Sequence, residues 1–376
     1  MKPLPFLGGL TAEQFCKRHW QKKPLLVRGA FPGFADLVSP DELAGLACDE
    51  GLKSRIVQQK KGRYSLTDGP FDEATFASLP ARDWTVLVQG VNHVVPDGER
   101  LLQAFSFLPH ARLDDLMISY AAPGGGVGPH FDSYDVFLIQ GQGRRRWQIS
   151  AQSDRTLVAG APLRILEKFE AEQEWDLGPG DLLYLPPLYA HHGVALDECL
   201  TYSVGFRAPT ARELVDRFLA WLPEQVTASG MYADPDIQPT THPSAIDDRM
   251  VRKVAGMLAA IRWDEDTVGR FVGQYLSEPK PHISFEPPRR PLGREVFARR
   301  VLERGVRLEL TSQMLARGER FFLNGDETTI ASSADRKALT QLADDRRLPP
   351  ASRRSAALLD LLHAWYRHGW VLVGAE

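Results

Sequence analysis

Leu116-Met117-Ile118-Ser119-Tyr120, Asp135-Val136-Phe137-Leu138-Ile139-Gln140-Gly141, Arg145-Arg146-Trp147-Gln148-Ile149-Ser150, Asp181-Leu182-Leu183-Tyr184-Leu185-Pro186 and Leu200-Thr201-Tyr202-Ser203-Val204-Gly205-Phe206 are short apolar runs set apart by glycine and proline. Runs of this length, bounded by turn residues, predict strands, and their repetition predicts an antiparallel sandwich or barrel. The longest interruption, about residues 151–177, is charged and reads as an excursion between strands.

Outside this block the texture differs. Upstream, Thr11 is a candidate N-cap for a short helix reaching Trp20, and Pro24–Arg28 and Trp84–Gln89 look like short buried strands. Residues 92–107 are weakly helical. Downstream of Pro209 the strand signals stop, and residues 211–222, 242–261 and 263–276 carry apolar positions at helical spacing. Pro235, Pro239 and Pro243 punctuate the first gap, and Pro279, Pro281, Pro287, Pro288 and Pro291 form a linker. Beyond it, residues 294–305 and 352–369 read as helices, 319–332 as a hairpin and 370–374 as a closing strand. A helix-rich unit with a small β-wing resembles a winged helix. The expected organisation is 1–208 as one domain with its barrel core at about 112–208, 209–278 as a helical region, and 279–376 as a winged-helix-like domain. No internal repeat is evident.

At 376 residues the chain is long enough for two or three domains. Its 45 Lys and Arg against 48 Asp and Glu, a net charge of −3, exclude wholesale coating of nucleic acid. Cys16, Cys48 and Cys199 are widely separated and give neither a disulfide framework nor a metal knuckle, which suits a reducing compartment. No stretch approaches the roughly 20 apolar residues of a membrane span. The expectation is a cytoplasmic protein with no membrane partner.

The chemistry is concentrated in Gly124-Gly125-Gly126-Val127-Gly128-Pro129-His130-Phe131-Asp132. His130 and Asp132 are two apart, so on a strand they project from one face and offer two ligands of a 2-His-1-carboxylate triad, the arrangement that leaves open positions on Fe(II). An H-x-D pair alone occurs often by chance. A second element completes it: Gly180–Pro187 is a turn and a buried strand, and His191 and His192 follow, 61 residues beyond His130 in the case of His191. The two histidines point in opposite directions on extended backbone, so only one of them is the third ligand. In Arg144–Ile149, alternation puts Arg145, Trp147 and Ile149 on one side. If that side faces the core, Arg145 is an inward guanidinium, costly without an anion and shaped to grip a carboxylate through both nitrogens. One assignment is the distal carboxylate of 2-oxoglutarate, the other a structural ion pair with a buried acid.

Together the stretches GGGVGPHFDSYDVFLIQGQGRRRW, PGDLLYLPPLYAHHGVAL and YSVGFRAP resemble the bacterial JmjC-type ribosomal oxygenases. The resemblance implies an α+β fold: a double-stranded β-helix (a jelly-roll, cupin-like JmjC barrel), then a helical dimerisation region and a C-terminal winged-helix-like domain. It selects His191 over His192, since the family's distal ligand ends P-P-x-x-x-H, and it places the dicarboxylate-binding residue on Arg145. Implied are Fe(II), with His130, Asp132 and His191 as ligands, 2-oxoglutarate as co-substrate and dioxygen. A serine that assists 2-oxoglutarate in relatives is replaced here by Ala121, leaving Ser119, Tyr120 or Ser203 as candidates, of which Ser203 is preferred. The implied reaction is hydroxylation of an arginine side chain, at the β carbon, of large-subunit ribosomal protein sixteen.

Two rivals from other classes stand beside this. A cupin-like module would hold Zn or Mn without oxygen chemistry. A DNA-binding regulator would use the C-terminal unit, where residues 280–320 carry ten Lys or Arg and five Asp or Glu. Asp135, near the expected barrel mouth, is either a substrate contact or a solvated loop residue. Finally, Leu214, Phe218, Leu219, Leu222, Val251, Val254 and Leu258 offer more apolar surface than a short helical insert buries alone, which, with the resemblance, predicts a homodimer.

Overall fold

Thr11 and Ser39 open the first two α-helices with the same device. Each accepts a hydrogen bond from the backbone N–H three residues on, and the side chains of Gln14 and Glu42 in turn accept one from the cap residue's own N–H. A computed structural model describes residues 2–227 and 229–374. Its first segment runs through α1 (Ala12–Arg18), β1 (Leu25–Val27), α2 (Pro40–Ala47), β2 (Ser54–Lys60), β3 (Arg63–Asp68), α3 (Glu73–Ala77), β4 (Trp84–Val88) and α4 (Pro96–Gln103). The strand-rich block follows as β5 (Leu113–Ala121), β6 (His130–Phe131), β7 (Asp135–Gln140), β8 (Arg145–Ser150), β9 (Gln173–Leu177), β10 (Leu182–Leu185), β11 (Ala190–Ala195) and β12 (Cys199–Phe206).

Among the described residues these strands make two sheets, in the orders β1-β10-β7-β12-β5-β4-β2-β3 and β6-β11-β8-β9, with antiparallel pairing throughout. Alternation gives the larger sheet two different faces. Phe137, Ile139, Tyr184, Tyr202, Leu116 and Ile118 pack outward with Phe15 and Phe105 from the N-terminal helical segments. Val136, Leu138, Leu183 and Leu185 pack inward against Trp147 and Ile149 of the smaller sheet. With both faces covered, β7 is buried along its whole length, which is why Val136–Ile139 is a continuous apolar run. The 151–177 stretch is only partly an excursion: its last five residues are β9, paired with β8. Asp135 lies on β7, fully buried, accepting hydrogen bonds from Tyr184 Oη at 2.7 Å and Gln21 Nε2 at 3.0 Å and pairing with Arg112 at 3.2 Å. It is a structural acid, neither a substrate contact nor a loop residue.

The helical half contains α5 (Ala211–Trp221), α6 (Asp248–Ala259), α7 (Glu265–Ser277) and α8 (Arg294–Arg304). The remainder is β13 (Val306–Leu308), β14 (Met314–Arg317), β15 (Arg320–Leu323), β16 (Asp326–Thr329), α9 (Ser333–Asp345), β17 (Arg347–Leu348), α10 (Ala356–Arg367) and β18 (Val371–Val373). Residue contacts sort the chain into two compact units, with one boundary where the proline linker begins. Residues up to Ala208, Pro279–Ser312 and Asp344 onward form one; Pro209–Glu278 and Gln313–Ala343 form the other. In the first unit, Arg346 of the C-terminal segment pairs with Glu99 of α4 at 3.0 Å and donates to the carbonyls of Glu309, Leu310 and Ser312.

In the second unit α7 packs on the β14-β15-β16 sheet, with Gly273 so close to the Phe322 ring that a Cβ would stand 2.3 Å from it. Phe218 of α5 meets the Phe271 ring of α7 edge to face, and Trp221 lies tilted against it. α6 buries no side chain, and Val251, Val254, Met257 and Leu258 are exposed on it. No helix of the described residues is long and apolar enough to cross a membrane.

Candidate active site

Glycine shapes the approach to the site. A Cβ on Gly125 would fall 2.0 Å from the Trp84 carbonyl oxygen and one on Gly126 2.3 Å from that of Gly193, so the loop before β6 lies directly on β4 and β11. That seats β6 against β11 with His130 opposite His191. The Pro186–Tyr189 turn is closed by Leu188, held at a φ of 64°, whose N–H donates to the Asp132 carbonyl at 2.6 Å. One hydrogen bond thus ties the two halves of the constellation together.

The side chains of His130, Asp132 and His191 converge, with one nitrogen or oxygen from each lying within 4.8 Å of the others. Asp132 Oδ2 is 3.6 Å from His191 Nε2 and 4.0 Å from His130 Nε2. Both rings make their Nδ1 hydrogen bond to a carbonyl two residues back, His130 to Gly128 and His191 to Tyr189, each at 2.9 Å. These bonds fix the tautomer with the proton on Nδ1 and turn the Nε2 lone pairs inward, the orientation a metal requires. Burial pushes His191 down to about 4, with the His130 ring adding to the effect, so it stays neutral at physiological pH. His192 stands outside the cluster: it is opposite Gln148 in the β11–β8 pairing, and its ring sits 6.2 Å from that of Phe169. Two imidazoles and a carboxylate converging from one side, with a cavity on the other, fit a divalent metal such as Fe(II).

That cavity, about 410 Å³, lies on the inner face of the larger sheet and is lined by the three residues together with Arg145, Ser119, Thr201, Ser203, Met117, Tyr134 and Trp147. The charge run on β8 divides as alternation requires. Arg144 pairs with Asp197 and Arg146 with Asp176 and Glu174 at the surface, where water screens such contacts. Arg145 turns inward and is 4% exposed. Its Nη1 donates to Thr201 Oγ1 at 3.1 Å and Ser119 Oγ at 3.4 Å, while its Nε is buried without a partner. Burial pushes its pKa down from the usual arginine range. No acid balances Arg145 among the described residues, so the structural ion pair is not made, and the orphaned Nε fits an incoming carboxylate.

Pairing registers lay out the cavity floor. Arg55, Leu87, Ser119 and Thr201 form one row across β2, β4, β5 and β12, and Met117 and Ser203 are paired in the next row on the same face. Ser119, one of the three candidates, touches Arg145; Ser203 lines the cavity one row away, and Tyr120 turns outward to stack near Trp84. Thr201 was not anticipated. Ala121 is buried with Ala195 and Cys199 in a small apolar cluster. Asp114 and Asp115 form an acidic edge to the cavity, bridged by Lys280 at 3.0 and 3.3 Å. Burial pushes Asp115 up, an effect that Lys280 opposes.

Comparison with known proteins bears on this geometry. The JmjC domain family matches residues 100–214 and the ROXA-like winged helix residues 260–371, the latter drawing on both contact-defined units. The ribosomal protein uL16 3-hydroxylase of Escherichia coli K12 is 36% identical over 338 residues, 89% of each chain. A probable ribosomal oxygenase of Haemophilus influenzae is 38% identical over 211 residues, 55% of this chain and 52% of that one. The crystal structure of the E. coli ribosomal oxygenase YcfD in complex with cobalt and 2-oxoglutarate superposes with a TM-score of 0.82 at 35% identity, covering 96% of this chain and 98% of that one. With identity spread over nine-tenths of both chains and the barrel, helices and winged helix in the same order, this chain belongs to the JmjC-domain ribosomal oxygenases.

Proposed function

We propose that the chain is an Fe(II)- and 2-oxoglutarate-dependent hydroxylase of ribosomal protein uL16, acting on the β carbon of an arginine side chain. One observation carries the reading: His130, Asp132 and His191 converge in the same cavity that receives Arg145, a buried guanidinium with no carboxylate to balance it. His130, Asp132 and His191 would hold the metal, with the Gly128 and Tyr189 carbonyls fixing the two rings from behind through their Nδ1 hydrogen bonds. Arg145 grips the far carboxylate of 2-oxoglutarate, steadied by Thr201 and Ser119, with Ser203 in the adjoining row. Bound Fe(II) supplies the oxidising chemistry, in which dioxygen converts 2-oxoglutarate to succinate and carbon dioxide and places one oxygen atom in a substrate C–H bond. Trp147, stacked 5.3 Å from the Arg145 guanidinium, closes the apolar wall that keeps water from the co-substrate.

Asp114 and Asp115 line the cavity with carboxylate oxygens that, although already paired with Lys280 and, for Asp114, with Arg207, can also accept from a cationic side chain, which supports arginine as the residue modified. A non-oxidative cupin leaves Arg145 without a task. The basic 280–320 stretch is partly neutralised, since Lys280, Arg294, Arg317 and Arg320 are already paired with acids, which weakens the nucleic-acid reading. Exposed Val251, Val254, Met257 and Leu258 on α6 support a homodimer, and a ribosomal protein substrate supports a cytoplasmic enzyme. The test is mass spectrometry of uL16 after incubation with the protein, iron, 2-oxoglutarate and oxygen. A gain of one oxygen atom on an arginine is expected; unmodified uL16, or oxygen on another residue type, overturns the assignment.

A further inference from the structure

The mechanism leaves two cavity-lining arginines unused: Arg164, exposed over the Phe131 ring, and Arg55, which is partly buried. Arg55 on β2 stands at the outer end of the row Arg55–Leu87–Ser119–Thr201. Ser119 and Thr201 steady Arg145, and strands lie about 4.8 Å apart, so Arg55 is roughly 10 Å from Ser119 along the row. Arg145 and the His–Asp–His cluster account for both ends of a co-substrate without it. Arg55 nevertheless lines the same cavity, together with Gln89, Tyr134 and Asp115. Its Nε is buried and has no hydrogen-bond partner among the described residues. Asp68, opposite it on β3, is exposed and leaves that Nε unsatisfied.

A guanidinium carries five donors and no acceptor, so whatever completes it must present oxygen. The co-substrate's carboxylate is already taken by the other arginine, which leaves the molecule entering from the open side. We propose that Arg55 is a substrate-binding residue whose guanidinium donates to oxygen acceptors of the polypeptide beside the side chain being hydroxylated. This rests on the protein-hydroxylase reading above. The acidic edge and Arg55 then divide the work: Asp114 and Asp115 face the cationic side chain, and Arg55 fixes the chain on which it hangs.

The experiment measures calorimetric binding of uL16 to the intact, metal-free protein, with KM values for uL16 and 2-oxoglutarate on the iron-loaded enzyme. Arg55→Met is expected to weaken binding and raise the uL16 KM at least fivefold, leaving the 2-oxoglutarate KM within twofold. Arg55→Lys, which keeps the charge but loses the planar fork, falls between. Asp68→Asn binds uL16 like the parent. A loss that shrinks at high salt identifies an acidic side chain as the acceptor, and a salt-independent loss identifies main-chain carbonyls. Unchanged binding by Arg55→Met, or an equal loss in Asp68→Asn, overturns the proposal. If the parent protein itself binds no uL16, the substrate reading falls first and takes this one with it.

Discussion

Arg145 is held in a state that makes sense only in company. Two hydroxyl contacts and an aromatic face do not replace the water that a guanidinium loses on burial, and its Nε is left unpaired. Arg145→Ala is therefore expected to leave the fold intact, or slightly stabilised, while raising the 2-oxoglutarate KM about 10- to 100-fold, the equivalent of roughly 1.5–3 kcal/mol for a charge-assisted hydrogen bond. An unchanged KM by succinate release would remove it from the co-substrate site. The two adjacent histidines make the companion test. His191→Ala is expected to abolish Fe(II) binding in anaerobic titration, and His192→Ala to retain it; the reverse would sink the assignment. At this scale the sequence was informative wherever strand alternation decides a direction, which is how Arg145 separates from Arg144 and Arg146. Thr201 escaped notice because its proximity to Arg145 depends on which strand lies beside β12 and in what register, and neither is written locally.

Whole elements were legible in proportion to how apolar and periodic they are. The buried strands β7, β10 and β12 and the helices α5, α7, α8 and α10 stand near their expected ranges. Charged β9 reads in sequence as part of an excursion, and α9, whose Ser333–Asp345 sequence is largely polar, carries too little apolar periodicity to predict a helix. The dimerisation surface needs revision in detail. Leu222 is buried and Phe218 joins the aromatic cluster with Phe271, so substituting either disturbs its own unit. The exposed residues of α6 are the better probes. Val254→Asp with Leu258→Asp is expected to convert a dimer to a monomer in sedimentation without lowering Tm, and a monomeric parent at micromolar concentration would refute the homodimer.

At the level of the whole chain, a unit boundary falls where the proline linker begins, and Pro279–Ser312 and the segment from Asp344 onward group with the barrel. Lys280, one residue into that linker, is ion-paired to Asp114 and Asp115 of β5, and Arg346 is paired to Glu99, so the segments after the linker complete the unit that holds the barrel. Such partnerships join residues more than 160 positions apart and carry no local signature. Glu99→Ala is expected to cost about 1–3 kcal/mol in chemical denaturation, since Arg346 keeps its three carbonyl acceptors but loses its counter-charge. A loss below a few tenths of a kcal/mol would show that the pair is not structural.

The discontinuity of that unit also sets a timetable. On a ribosome that adds about 5–20 residues per second, the barrel strands are complete at Phe206 but the segment carrying Arg346 and β18 follows on the order of ten to thirty seconds later. Throughout that interval Glu99 lacks Arg346, and for the first part of it Asp115 lacks Lys280, while Asp114 has Arg207 at hand as soon as the barrel ends. The nascent barrel therefore waits, acidic at one edge of its cavity, for residues not yet made. The enzyme matures only after most of its own synthesis is over.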